Sequence, residues 1–123
     1  MIESIKIMKL YEKLISSKQL LFPEKGKVKV SENQGVYIIY NPNEIVLHVG
    51  NTPSGVKGLN QRLYNHLTNT SSFSRSYLVP NGISLRNGYK FRYVAVPVPR
   101  TRVLLEALTT GLLCPAHIGT GEK

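Results

Sequence analysis

Apolar residues recur along this chain at two spacings, and the switches between them mark the elements. Over residues 4–21, Ile7, Met8, Tyr11, Leu14 and Ile15 fall on one stripe, with Lys6, Lys9 and Lys13 opposite. That pattern predicts an amphipathic helix, ended by Pro23. The lysine-rich residues 24–34 follow, with Val28-Lys29-Val30 a candidate short edge strand. Val36–Tyr40 is β-branched and aromatic and predicts a strand. Asn41-Pro42-Asn43 is turn chemistry, so Ile45–Val49 is expected to pair antiparallel with that strand. Gly50 is expected to turn the chain sharply, and Asn51–Gly58, with two glycines, a proline and a serine, reads as a loop. Leu59, Leu63 and Leu67 then mark one ridge of a helix, with Arg62 and His66 on the next ridge, one turn apart.

Residues 68–88 are rich in Ser, Asn and Gly, with Phe73, Tyr77 and Leu78 as anchors. A loop of that length in a compact domain is usually functional or contains structure that its composition hides. Tyr89–Val96 predicts a third strand, stopped by Pro97 and Pro99, and Thr101 is the expected N-cap of a last helix. Val103, Leu104, Ala107, Leu108 and Leu112 are expected on its core side, with Glu106 at the border of that stripe. Cys114-Pro115 ends the helix and the rest reads as a loose tail. The order predicts a small α+β domain, a three-stranded antiparallel sheet flanked by helices with an extra N-terminal helix. Residues 1–34 are a lead-in packed on the domain, 35–115 the domain itself and 116–123 the tail.

Charge sharpens the picture. Sixteen Lys and Arg against seven acids give a formal net charge of +9, which points to an anionic partner, nucleic acid before anionic lipid. There is no aspartate, and from Ile45 to Gly121 Glu106 is the one carboxylate side chain among eight Lys and Arg residues. Either that acid has a task, or it pairs with Arg102 one helical turn away. The single cysteine, Cys114, excludes an internal disulfide, and the charged N-terminal residues argue against a signal peptide. No apolar run is long enough for a membrane span, so a cytoplasmic, nucleic-acid-associated protein is expected.

Hydrolysis of a phosphodiester needs a cation at the leaving or non-bridging oxygens, positive charge at the phosphorane and a group that orients or activates water. Glu106 is the candidate ligand for one divalent ion, Mg²⁺ or Mn²⁺. Arg62 is the candidate phosphate clamp. Tyr37, His48 and His66 are the candidate proton-handling groups, of which only the histidines titrate near neutrality unaided. Each has a bland reading too: an edge or core tyrosine, a hydrogen-bonded histidine, a solvated helix face.

Their order resembles that of the GIY-YIG nuclease family. Gly35-Val36-Tyr37 stands where the family has GIY, and His48-Val49-Gly50 where it has YIG. The resemblance covers roughly residues 35–115 and implies a metal-dependent endonuclease acting on double-stranded or branched DNA. It implies Tyr37 at the attacking water, Arg62 on the scissile phosphate, His66 near the nucleophile and Glu106 on the metal. Lys57, Arg75, Arg86, Arg92, Lys6, Lys9 and Lys13 are the candidate DNA-backbone contacts. The chain departs from the family at three places. His48 replaces a tyrosine, Asn51 stands where many members have lysine, and Pro115-Ala116-His117-Ile118-Gly119 lacks an asparagine common there. Two other readings therefore stay open: a catalytically weak or inactive nucleic-acid-binding module, and a basic protein-interaction subunit.

Overall fold

The computed structural model describes residues 2–53 and 57–119. The middle of the expected Asn51–Gly58 loop, 54–56, and the end of the expected tail, 120–123, lie outside the described residues. The chain is α+β. Helix α1 spans Glu3–Ser16, β1 Leu20–Leu21, β2 Gly35–Tyr40, β3 Val46–Asn51, α2 Gly58–Leu67, β4 Lys90–Ala95 and α3 Pro99–Leu113. The sheet is antiparallel throughout, in the order β1-β4-β2-β3.

β2 lies between two strands and is covered on both faces, so all six of its residues are buried. This is why it reads as an unbroken apolar run. Tyr37 and Ile39 face a core shared with Leu59 and Leu63 of α2 and with Phe73, Leu78 and Phe91. Val36, Ile38 and Tyr40 face the opposite core, closed by Ile7 and Leu14 of α1 and Leu105 of α3. α3 lies over β3 and β2, and α1 lies over β4 and against α3.

The sheet has four strands rather than the expected three. α1 stops at Ser16, not residue 21, because the hydroxyls of Ser16 and Ser17 donate to the carbonyls of Glu12 and Leu14, each at 2.7 Å, and compete with the next turn. The freed Leu20 and Leu21 pair with Phe91 and Lys90. Val28-Lys29-Val30 is not a strand. The Asn60 side-chain oxygen accepts from the amides of Val30 and Ser31 at 2.6 and 2.8 Å, taking the place of a strand partner. β3 runs on through Gly50 to Asn51 instead of turning at Gly50. The stretch 68–88 is not all loop, since Ser74–Leu78 forms a π-helical turn with Phe73 and Leu78 buried.

α3 is rotated from the expected face. Thr101, Arg102, Leu105 and Thr109 are buried, while Val103 and Leu112 are 59% and 53% exposed. Arg102 can face inward because it is engaged: its Nη1 donates to the carbonyls of Val96 and Pro97 at 3.0 and 2.9 Å. Thr101 is inside the helix and not its cap. Pro99 opens the helix, its fixed φ suiting the first helical position. Residues 116–119 are not a loose tail, since the amides of Ala116 and His117 donate to Val46 and Leu47 of β3 at 3.1 and 2.8 Å. The segment covers the free edge of the sheet. Among the described residues no helix is long and apolar enough to cross a membrane.

Gly35 marks the tightest point of the sheet, because a Cβ there would meet the Val94 carbonyl and Leu59 Cδ1. Gly35→Ala is expected to cost about 1–3 kcal/mol, the usual range for overpacking, read as a lower urea midpoint at unchanged m-value.

Candidate functional site

Tyr37 points from β2 toward α2 with its side chain fully buried. Its cross-strand neighbour on β3 is Gly50, and a Cβ on Gly50 would overlap the phenol oxygen. The glycine therefore serves close approach: it leaves space for the Tyr37 hydroxyl beneath β3.

The hydroxyl is 2.7 Å from Nε2 of His66, whose Nδ1 is 2.6 Å from Ser71 Oγ. Ser71 Oγ is 2.8 Å from Ser74 Oγ, and Ser74 Oγ donates to the His66 carbonyl at 2.8 Å. That last bond fixes the direction of the chain. Ser74 gives its proton to a carbonyl, so Ser71 donates to Ser74, His66 Nδ1–H donates to Ser71, and Tyr37 donates to Nε2. Only this assignment places a proton in every contact.

His48 is cross-strand from Ile39, on the same face of the sheet as Tyr37. Its ring stacks on Phe73 (centroids 4.2 Å apart, 11° between planes), and its Nδ1 is 3.2 Å from Nδ1 of His117. His117 Nε2 is in turn 3.1 Å from Ser76 Oγ. Phe73 also meets His66 edge-on at 5.3 Å, so one aromatic side chain braces two histidines.

Asn51 pairs with Val36 and so faces the opposite side of the sheet, where α3 lies. Its amide donates to a Glu106 carboxylate oxygen. His48, Gly50, Asn51, Arg62 and Glu106 line one cleft of about 240 Å³. The cleft thus gathers residues from both faces of the sheet at β3. Arg62 hydrogen-bonds Tyr37, and among the described residues its Nε is buried without a hydrogen-bond partner.

Burial sets the electrostatics. It pushes Tyr37 up to about 12, against the lowering effect of the Arg62 guanidinium. It pushes His48 down to about 3, helped by His117 and Arg62, and holds His66 well below 6.5, helped by His48, Arg62 and His117. Neither of these two histidines titrates near neutrality, contrary to the sequence expectation. Burial also raises Glu106, with the Asn51 hydrogen bond and Arg62 acting against it.

Tyr37, His48, Arg62, His66 and Glu106 thus come together. The expected DNA contacts do not form one group. Lys6, Lys9 and Lys13 are exposed on α1, on the far side of α3 from the cleft. Arg86 Nη1 donates to the carbonyls of Pro23 and Gly26, both at 3.1 Å. Arg92 donates to Tyr40 and to the Ser17 carbonyl and lies over the Tyr40 ring. These two arginines are structural ties. Arg75 is exposed, with Nη2 on the Thr70 carbonyl at 2.9 Å, and Lys57 is exposed beside the start of α2.

The donor set suits an ion of the magnesium type. Such an ion takes one or two carboxylates and keeps several waters, which matches one half-buried glutamate in an open cleft. Among the described residues no group of three or more His, Cys, Asp or Glu is placed to hold a metal by itself. Sequence reasoning missed Ser71, Ser74, Phe73 and His117 as parts of this site. His117 carried a signal, being the only histidine in the chain besides His48 and His66. Scanned against protein-family models and searched against curated proteins, the chain matches none.

Histidines held neutral by folding take up protons on unfolding, so their contribution to stability is full above 6.5 and is lost as the pH falls below it, for His48 down to about 3. Glu3 and Glu44, lowered mainly by their bonds to Arg100 and Lys90, titrate below 4.5, outside the upper part of that window. Glu106 has the opposite sign: its raised value makes protonation favour the folded state. Stability, followed as Tm, is therefore expected to be flat above neutrality and to fall between pH 6.5 and 4.5, the free energy of unfolding losing at most about 1.4 kcal/mol per pH unit for each histidine. His48→Phe, which keeps the stacking on Phe73, is expected to reduce that slope by roughly half, since it removes one of the two groups. An unchanged slope would locate the titration elsewhere.

Proposed function

We propose that this protein is a metal-dependent DNA endonuclease of the GIY-YIG type, which hydrolyses phosphodiester bonds by nicking or cutting. The observation that supports the reading is that Arg62 and Glu106 line one cleft at Gly50, with Tyr37 directly beneath that glycine and hydrogen-bonded to His66.

In this reading the scissile phosphate enters the cleft, and the Arg62 guanidinium binds its non-bridging oxygens. Tyr37 and His66 stand behind the cleft lining, so the step requires a water admitted beside Gly50; the phenol takes a proton from it while the phenol proton passes to His66 Nε2. Ser71 Oγ accepts from Nδ1–H and keeps the imidazole in the tautomer that takes that proton. The new P–O bond forms as the bond to the leaving oxygen breaks. Arg62 is one of the charges that hold His66 low, after burial and His48. A phosphate on Arg62 offsets that charge, so the relay accepts protons more readily when substrate is bound. Glu106 would hold a divalent ion, whose charge stabilises the leaving oxygen.

A second reading, a DNA-binding module without catalysis, has one observation in its favour: Asn51 already occupies one Glu106 oxygen.

Relaxation of supercoiled plasmid with Mg²⁺ or Mn²⁺ separates the two. Wild type is expected to nick. Glu106→Gln is expected to lose nicking and keep DNA affinity, and its Tm at pH 8 is expected to equal or exceed that of wild type, because a desolvated charge is removed. Arg62→Ala is expected to lose about 10²-fold or more in rate. Equal nicking by wild type and Glu106→Gln would refute the site. No nicking with DNA binding retained would favour the binding module. Weak binding indifferent to Glu106 and abolished by salt would favour an interaction subunit.

A further inference from the structure

A second cavity, of about 210 Å³, opens on the flank of α2. Lys27 and Lys29 reach it from the segment before β2, and Lys57 from the residue before α2, with Gln61 and Tyr64 forming the helix side. Glu32 also lines it, which leaves an excess of two positive charges. Among the described residues none of these three lysines is in an ion pair, while Lys90 and Arg100 are. Lys27 Nζ lies 6.0 Å from the centre of the Tyr64 ring, at the outer reach of a cation–π contact.

The walls are built rather than incidental. Residues 27–34 form a strap across the start of α2. The amides of Leu59 and Asn60 donate to the carbonyls of Asn33 and Ser31, both at 2.9 Å, and the Asn60 side chain accepts from Val30 and Ser31. Gly58, at φ +72, lets the strap pass so close that a Cβ there would strike the Glu32 and Asn33 carbonyls. The strap anchors by burying Val28 between the two exposed lysines. With these amides bonded to the strap, an anion in the pocket meets ammonium groups rather than the helix end.

α2 also carries Arg62. Lys57 precedes it by five residues, about 7.5 Å along the axis and, at 3.6 residues per turn, roughly 140° around it, so the pocket and the Arg62 side chain lie on different flanks of the helix. We propose that the pocket of Lys27, Lys29 and Lys57 seats a backbone phosphate of the bound DNA, separate from the phosphate held by Arg62. The proposal rests on the nuclease reading for its neighbour but predicts binding, not cleavage. The pocket supplies charge and register, and no base reading.

The test is fluorescence anisotropy of a labelled DNA duplex across a salt series, on the Glu106→Gln background so that no cleavage intervenes. Lys27→Gln with Lys29→Gln is expected to weaken binding at least about fivefold and to make the slope of log affinity against log salt shallower by about one to two. The distant pair Lys6→Gln with Lys9→Gln should change neither. Both pairs are exposed, and equal Tm values confirm that folding is unaffected. A slope unchanged by Lys27→Gln with Lys29→Gln overturns the proposal, even where wild type nicks. A reduced slope sustains it as a DNA-phosphate site even where wild type does not nick, which is the failure of the nuclease reading alone. Inorganic phosphate or a mononucleotide that displaces the duplex from the parent protein, but not from the double variant, at equal ionic strength would make this a site for free phosphate and also overturn it.

Discussion

The contact between the Tyr37 phenol and the Cα of Gly50 constrains more of this structure than any other. A tyrosine buried in a sheet needs a partner for its hydroxyl, and here the partner comes from a different element, Nε2 of His66 on α2. That bond sets where α2 lies against the sheet. The serines that orient His66 set where the π-helical turn lies against α2. The turn carries Phe73 onto the ring of His48, back on β3. The site is therefore a closed circuit of contacts, and a Cβ at Gly50 would disturb it at its source. Gly35 and Gly50 are packing residues first.

The second constraint is the position of β3 at the edge of the sheet. An interior strand has no free side by which residues from both faces can meet. β3 presents His48 and Gly50 toward α2 and Asn51 toward α3, and the cleft lies where these faces converge. An open edge invites pairing with other chains. Residues 116 and 117 cover it through two main-chain bonds, and the His117 side chain then reaches His48. The same short segment both protects the edge and braces the site.

The hairpin and the helix carrying Arg62 were legible in the sequence because β-branched runs, turn residues and a leucine ridge are local signals. Leu20–Leu21 was not legible, since a two-residue strand has no periodicity and exists only because β4 offers an edge. The face of α3 was misread for a different reason. Hydrophobicity ranks Thr101, Arg102 and Thr109 as surface residues, yet Arg102 is buried through its bonds to two carbonyls at the end of β4. Glu106 was still placed at the border of the buried stripe, because Leu104 and Leu108 pack against the core in either reading. Ser71 and Ser74 looked like loop composition. Their role follows from the order of acceptors around His66, which is a property of three dimensions.

Electrostatics ties these constraints together. Burial makes each ionisable group at the centre resist its charged form: the phenol keeps its proton, two histidines stay neutral, and the glutamate holds its proton more tightly than usual. Arg62 carries the opposing positive charge, with a buried Nε lacking a partner. An arginine with an unmatched donor wants an anion, and a desolvated carboxylate wants a cation. A phosphate bound with a divalent ion supplies both at once and lowers the cost of each. A protein chain could have satisfied Arg62 and Glu106 by placing them in direct contact. Here Asn51 stands on the carboxylate instead, and Arg62 lines the same cleft. Leaving both charges without a direct partner in each other destabilises the fold, and an anion bound together with a cation would offset that cost.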